Sequence, residues 1–400
     1  MTAVFPSAAS ESQAGHWMRS PWIWVLGCFL VSRLILQAVG IMARWGWEAF
    51  MLDHFHWFSS VASWLDVWSA WDSGWYFNII QHGYDTSVTH VNPDGTPRQL
   101  NFAFFPLYPL LVWLLSKATG NPLLAGVLLS NACFLASLRL LYAVGKPRWG
   151  DDAARAAVAI LCFMPHSFIF SAVYTESLFL MLLLGCVLAA DRQQWFLAGV
   201  LGAFLAATRL VGITVGLGLL WIFLEQRRAA GILDWRPRRA DLRVLWLGLI
   251  PLGIVAFAVY LHFHAGDAFA FMKAQRGWYR VWHFPLVAIG KSLYFATPEN
   301  VYLAIATCLH LALAACVVLL RRWDEVLLAL PLMLVPLLSG PGDVPLASMP
   351  RYFLVVFPLV GVMAYVYRRA PTVAGLCFLL MALWNGFLMT AWATGLHIVI

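Results

Sequence analysis

Four stretches of this chain, Trp22 to Ala43, Leu123 to Val144, Val244 to Phe263 and Val301 to Leu320, run with few or no charges. Each is about 20 residues long, the length a helix needs to cross the hydrocarbon of a bilayer. With 62% of 400 residues hydrophobic and 11% charged, against roughly a half and a quarter in soluble domains, the expected class is an all-α polytopic membrane protein. No internal repeat, low-complexity tract or soluble segment interrupts it, so residues 1–400 read as one integral membrane domain. Met1 to Ser20 lacks a charged stretch followed by a short apolar run and a cleavage site, so the first helix is expected to stay uncleaved. The seven cysteines lie scattered without C-x-x-C or His-paired spacing; they read as small core residues, not as disulfide or zinc partners.

Orientation follows from the basic loops. Arg227, Arg228, Arg236, Arg238, Arg239 and Arg243 form the densest one, with Arg321/Arg322 and Arg368/Arg369 as smaller ones, and Lys and Arg concentrate on the cytoplasmic side. This bias accounts for the net charge of +7 without a nucleic-acid partner. Arg44 to Asn101 instead carries Glu48, Asp53, Asp66, Asp72, Asp85 and Asp94 against Arg44 and Arg98, together with Trp45, Trp47, Trp57, Trp64, Trp68, Trp71 and Trp75. Tryptophan favours the headgroup level, so this segment is expected outside, with helices lying along the membrane surface. Phe102 to Lys117, shortened by Pro106 and Pro109, is either a span or a dipping segment. Counting crossings favours the second, which extends the non-cytoplasmic loop over residues 44–118. Lys146, Arg148 and Arg155 then fall inside, and Thr175 to Ser177, Arg209, Gly266 to Val281 and Ser339 to Arg351 outside. Trp195 to Leu224, interrupted by Arg209, is one tilted helix or two short ones; charge on both flanks favours two. The count is about eleven transmembrane helices, give or take one or two.

Ionisable groups at membrane depth are costly unless paired or facing water, and Arg33, Asp72, Glu176, Arg209, Lys273, Arg276 and Arg351 are the candidates. All except Arg33 map to one face. Asp72, between Trp71 and Trp75-Tyr76, suits a general base in an aromatic wall; a helix cap in a Trp-rich loop would also explain it. Arg209 and Arg351 stand at expected helix ends and suit bidentate binding of a lipid phosphate, or snorkelling to headgroups. Lys273, Arg276 and Arg280, with Phe271, Trp278 and Tyr279, read as a surface-lying helix. Glu176 orients a substrate or pairs with an arginine, and His166 reads as an interior histidine. No metal-ligand spacing occurs; the pattern neither requires a divalent metal nor rules one out.

Trp71-Asp72, Tyr76, Gly83-Tyr84 and Phe104-Phe105-Pro106-Leu107-Tyr108-Pro109, followed in order by PHSFIFSAVYTES at 165–177, Ala207-Thr208-Arg209 with Gly212, and PRYFLVVFP at 350–358, resemble the PIG-V family of membrane mannosyltransferases. That resemblance implies a GT-C glycosyltransferase fold with interfacial helices in a large first outer loop. It also implies inverting transfer of mannose from a polyprenyl-phosphate mannose donor to an acceptor hydroxyl on the non-cytoplasmic face, a hexosyltransferase of EC class 2.4. Asp72 matches the family's acidic residue, the expected base. Arg209 and Arg351 become the donor-phosphate ligands, with Trp71, Trp75, Tyr76, Tyr108, Glu176, Lys273 and Arg276 as further substrate contacts. The acceptor is a glycan, lipid or protein, and membrane lipids are the other partners. The chain's length and Ala/Arg/Trp-rich character look more like bacterial relatives, hence an inner membrane, with the endoplasmic reticulum as the other location. The competing function is a carrier or flippase that binds a polyprenyl-linked sugar without reacting it; a scaffold subunit is a third.

Overall fold

The computed structural model describes residues 20–46, 63–88, 91, 92, 95, 98–232, 238–320, 322–342 and 344–396. The expectations on residues 1–19 and on Trp47, Glu48, Asp53, Trp57, Asp94, Arg236 and Arg321 lie outside them.

The described residues are mostly helical. In order come α1 (Pro21–Gly46), α2 (Ser73–His82), α3 (Leu107–Thr119), α4 (Pro122–Trp149), α5 (Asp151–Phe163), α6 (Glu176–Asp191), α7 (Trp195–Ala206), α8 (Val215–Ala229) and α9 (Leu252–Ala265). A two-stranded antiparallel pair, β1 (Arg280–Trp282) with β2 (Ser339–Pro341), brackets α10 (Pro285–Phe295), α11 (Pro298–Leu319) and α12 (Trp323–Leu337). Short α13 (Met349–Phe353), α14 (Phe357–Arg369) and α15 (Pro371–Thr394) complete it. Among the described residues, six helical stretches are long and apolar enough to cross a membrane: α1, α4, α11, α15, Leu210–Ala229 and Asp241–Ala265. The four runs singled out in the sequence coincide with four of these, the last passing the end of α11 by one residue.

The remaining core helices are short, and this builds the site. α5 and α14 have 13 residues, α12 has 15 and α6 has 16. At 1.5 Å per residue they reach about 20–24 Å, less than the ~30 Å of a hydrocarbon core. They share one set of ends: Arg148 donates to Asp191 at the end of α6 and reaches Asp324 at the start of α12, and Arg322 donates to the Arg148 carbonyl. Trp24 binds the Arg155 carbonyl and Arg243 binds Gln193 at this same end. At their other ends α5, α12 and α14 give way to irregular backbone, which at such depth is tolerated only where protein satisfies it.

Arg33, halfway along α1, does this for the break after α5. It is 8% exposed and donates to the carbonyls of Cys162 and Ser167 and to the hydroxyls of Ser32, Ser167 and Ser171. Its place is structural, apart from the charged cluster described next.

Residues 195–229 form two helices with a break at Ala207–Arg209, as the flanking charges suggest. Leu107, opening α3, donates its N–H to the Ala207 carbonyl at 3.1 Å, which joins the FFPLYP motif to the Ala-Thr-Arg motif. Two expectations change. The segment 270–280 is two short helical turns, not a surface-lying helix: Phe271 packs on Phe105 and Phe257, and a Cβ at Gly277 would stand 2.5 Å from the Arg98 carbonyl oxygen. Trp68, placed by sequence at the headgroups, is 3% exposed and donates to Gln37. Cys133, Cys162 and Cys186 are buried as expected, but Cys308, Cys316 and Cys377 are exposed.

Candidate active site

Where the short helices stop, four of the predicted residues meet. Arg351 Nη1 donates to Asp72 Oδ2 at 2.8 Å and its Nε lies 3.5 Å from Glu176 Oε1; Arg209 Nη1 reaches the same Oε1 at 3.2 Å. Each comes from an element end: Asp72 immediately before α2, Glu176 at the first position of α6, Arg209 in the break after α7, and Arg351 in α13. An acidic residue in the first turn of a helix is favoured by the helix dipole, which explains Glu176 at the start of α6.

Their burial is graded. The Glu176 and Arg351 side chains are 1% and 5% exposed, whereas Arg209 retains 21% and Asp72 26%. Asp72 is the carboxylate a substrate can reach, and its Oδ1 has no partner among the described residues. Glu176 is sealed behind, with Oε2 unpartnered among the described residues. An unmade bond on a buried carboxylate is expensive, so the pair of arginines on Oε1 holds this group in place. Burial acts against the charge on Arg351, and Asp72, Tyr352 and Glu176 outweigh it, holding its pKa well above the ordinary arginine value.

Backbone and aromatic contacts fix Asp72. The Tyr174 hydroxyl accepts from the Asp72 N–H at 3.0 Å and donates to the Ala70 carbonyl at 3.3 Å. Trp71 has φ 53°, Tyr279 φ 53° and Ser348 φ 65°. Non-glycine residues in this left-handed region cost ~1–3 kcal/mol each and cluster at functional sites. These three stand one residue before Asp72, one before Arg280 and three before Arg351. Tyr76 packs edge-on to Phe104, Tyr108 and Tyr174, and Trp75 stacks on Phe104 at 5.7 Å and meets Trp278. The predicted Trp75, Tyr76 and Tyr108 thus form an aromatic wall beside the charges. Tyr108 is fully buried with its hydroxyl on Ser130, and Trp71 is partly buried against the core.

Lys273 and Arg276 are not brought into the cluster. Lys273 is exposed and pairs with Asp267 at 2.6 Å, and Arg276 faces outward. Two residues that the sequence reading left aside are there instead. Arg280, in β1, donates from Nη1 to the Ser339 carbonyl at 3.1 Å and from Nη2 to the Tyr352 hydroxyl at 2.7 Å. Tyr352 follows Arg351 in α13, and the guanidinium of Arg209 lies over its ring at 4.9 Å. The strand pairing alone brings Arg280 here, and two three-residue strands leave little trace in a sequence.

The fold is similar to that of a solved membrane enzyme. ArnT from Cupriavidus metallidurans, solved bound to undecaprenyl phosphate, aligns with a TM-score of 0.50 and 14% identity, over 94% of this chain and 77% of that one. The oligosaccharyltransferase of Archaeoglobus fulgidus in its apo form aligns with a TM-score of 0.48 and 13% identity, over 96% of this chain and 56% of that one. The present chain thus spans little more than half the length of the archaeal enzyme. No curated protein matches it in sequence. The fold is that of GT-C glycosyltransferases, in an integral membrane protein. The family model described as Mannosyltransferase (PIG-V) matches residues 57–276, more than half of the sequence and including Asp72, Glu176 and Arg209, and on this match the chain belongs to the PIG-V mannosyltransferase family.

Proposed function

We propose that the protein transfers mannose from a polyprenyl-phosphate mannose donor to an acceptor hydroxyl, with inversion, on the non-cytoplasmic face of a bacterial inner membrane. The observation that carries this reading is the Asp72–Arg351–Glu176–Arg209 cluster at the ends of short helices, with one accessible carboxylate beside one buried and one partly exposed guanidinium group. Arg209 and Arg351 receive the donor phosphate, and Arg351 exchanges Asp72 for it. The freed Asp72 takes the acceptor's proton as its oxygen attacks the anomeric carbon. The bond from that carbon to the phosphate oxygen breaks, and its electron pair leaves with the lipid phosphate. Fixed guanidinium groups are worth most where charge develops, and here the departing phosphate gains it. Trp75 and Tyr76 line the sugar's side. The basic ends of the helices face the cytoplasm by the positive-inside bias, and residues 44–118 then form the non-cytoplasmic loop within one membrane domain spanning residues 1–400.

Transfer of labelled mannose to membrane extracts by purified wild-type and Asp72→Asn protein, with donor binding in parallel, tests this. Loss of transfer with binding retained supports it. Binding by both with transfer by neither favours the carrier, and equal transfer by both removes Asp72 from the mechanism.

A further inference from the structure

Three guanidinium groups converge on Tyr352. Arg280 and Arg351 donate to its hydroxyl from their Nη2 atoms at 2.7 and 3.5 Å. The guanidinium carbons of Arg209, Arg351 and Arg280 lie 4.9, 5.2 and 5.8 Å from its ring centroid. They come from three separate parts of the chain, so no single element forces the meeting. Like charges this close repel, and something must offset them. Asp72 and Glu176 do so for Arg351 and Arg209. Arg280 has only neutral acceptors among the described residues, the Ser339 carbonyl and the Tyr352 hydroxyl. One guanidinium of the three is therefore left without a counter-charge, next to a partly buried phenol.

We propose that the Tyr352 hydroxyl is an internal competitor for the donor's phosphate, holding the Arg280 and Arg351 donors that a phosphate oxygen takes on binding, and that Arg280 is the third arginine of the donor site. This rests on the donor reading only for the identity of the anion; any lipid-borne phosphate meets the same chemistry. Phosphate is the better acceptor, because hydrogen bonds between ionised partners are roughly twice as strong as those to a neutral hydroxyl.

The competition depends on pH. Burial acts to raise the Tyr352 phenol; Arg280, Arg351 and Arg209, in that order, outweigh both burial and the opposing effect of Asp72, and bring its pKa down to about 8. Tyr174 and Tyr76, the neighbouring phenols, are raised by burial and stay neutral. Below pH 8 Tyr352 is neutral and releases its arginines. Above it, the phenolate is a full negative charge facing all three guanidinium groups, and the anion must displace it.

Binding of decaprenyl phosphate to the full chain in detergent, measured between about pH 7.5 and pH 9.5, tests this for wild type, Tyr352→Phe and Arg280→Gln, with mannose transfer from decaprenyl-phosphate mannose to membrane extracts followed in parallel on the same preparations. Only the neutral-phenol fraction binds well, so wild-type affinity should fall about tenfold one pH unit above the phenol midpoint. Tyr352→Phe should bind at least as tightly as wild type at pH 7.5 and show no such fall. Arg280→Gln should bind about tenfold more weakly throughout, the loss of one charged hydrogen bond. Wild-type affinity that stays flat to pH 9.5, or a fall that persists in Tyr352→Phe, overturns the competitor role, and Arg280→Gln affinity equal to wild type overturns the third-arginine role. The wild-type series needs no variant to fold. Binding that falls with pH without any sugar transfer leaves the inference standing and removes the transferase reading; transfer with flat binding does the reverse.

Discussion

A cluster of charge lies at each end of α6, and the two are built differently. At the Asp191 end, Arg148 grips both oxygens of one carboxylate, from Nη1 at 2.5 Å and Nη2 at 2.8 Å, and its Nε reaches Asp324 at 3.4 Å. Trp149 donates to Glu325 Oε1, and Arg322 ties Glu325 to the Arg148 carbonyl. The partners come from α4, α6 and α12, so the network fastens three helix ends together. At the Glu176 end the bonds are single and shared: one carboxylate oxygen serves two arginines, Oε2 has no partner among the described residues, and Arg280 meets only neutral acceptors. A network that clamps helices is saturated with its own partners. One that must exchange them for a ligand keeps bonds in reserve, and that difference separates structural from functional charge in a chain with little of either.

Asp72→Asn presses hardest on this contrast. It keeps the size and most of the hydrogen bonding but removes the base, and general-base catalysis is worth ~100-fold to 10,000-fold; transfer should fall by at least that lower figure with donor affinity nearly unchanged. Glu176→Gln comes next. Losing the charged hydrogen-bond partner of Arg209 and the ion-pair partner of Arg351 should reduce transfer roughly 10- to 100-fold, chiefly through weaker donor binding, which a titration of donor concentration separates from turnover. A drop in melting temperature matching that of a clamp mutant, with normal kinetics in the folded fraction, would move Glu176 to the structural class.

Much of this site is legible in sequence because charge is rare in an apolar chain. Glu176, Arg209 and Arg351 interrupt apolar runs, and the cost of burying them unpaired requires that they find one another; the cluster follows from that scarcity. Leu107 and Ala207 lie in two motifs that share a backbone bond, so the order of motifs also carried tertiary information. Arg280 and Tyr352 were not legible. An arginine and a tyrosine in outer loops look like any interfacial pair, and what joins them is a strand pairing between segments far apart in the chain. The family match, which ends at residue 276, passes over both. Trp68 misled for a related reason: tryptophan suits a headgroup layer and a protein interior alike, and only its burial beside Gln37 decides.

The clamp end predicts the opposite phenotype. Arg148→Ala leaves Asp191 and Asp324 without their shared cation. Breaking a fully buried pair costs about 3–5 kcal/mol, and because Asp191 keeps 26% exposure, solvent screening reduces the expected loss to roughly 2–3 kcal/mol. Thermal unfolding in detergent should show this, while donor affinity of the folded protein stays within about twofold of wild type. A selective loss of donor binding would mean that the helix ends transmit to the site along α6, and the contrast between the two clusters would fail.

Lys273 and Arg276 give the smallest expected effect and the finest discrimination. Both, seven and four residues before Arg280, were counted as further substrate contacts by the family resemblance, while the residues themselves read as one surface-lying helix. The chain instead breaks there: the turn at Lys273 ends, Gly277 packs against residues 98–99, and Tyr279 adopts a left-handed φ that turns Arg280 into β1. Lys273 faces outward with Asp267, and an exposed pair of this kind contributes ~0–1 kcal/mol. Lys273→Ala and Arg276→Ala should each leave transfer within about twofold of wild type, in contrast to Arg280→Gln a few residues later. If either instead weakened donor binding as much as Arg280→Gln does, the cluster would extend along the whole segment and the break at Tyr279 would not mark its edge. If either reduced transfer to the acceptor alone, the outward face of this segment would be where the acceptor approaches.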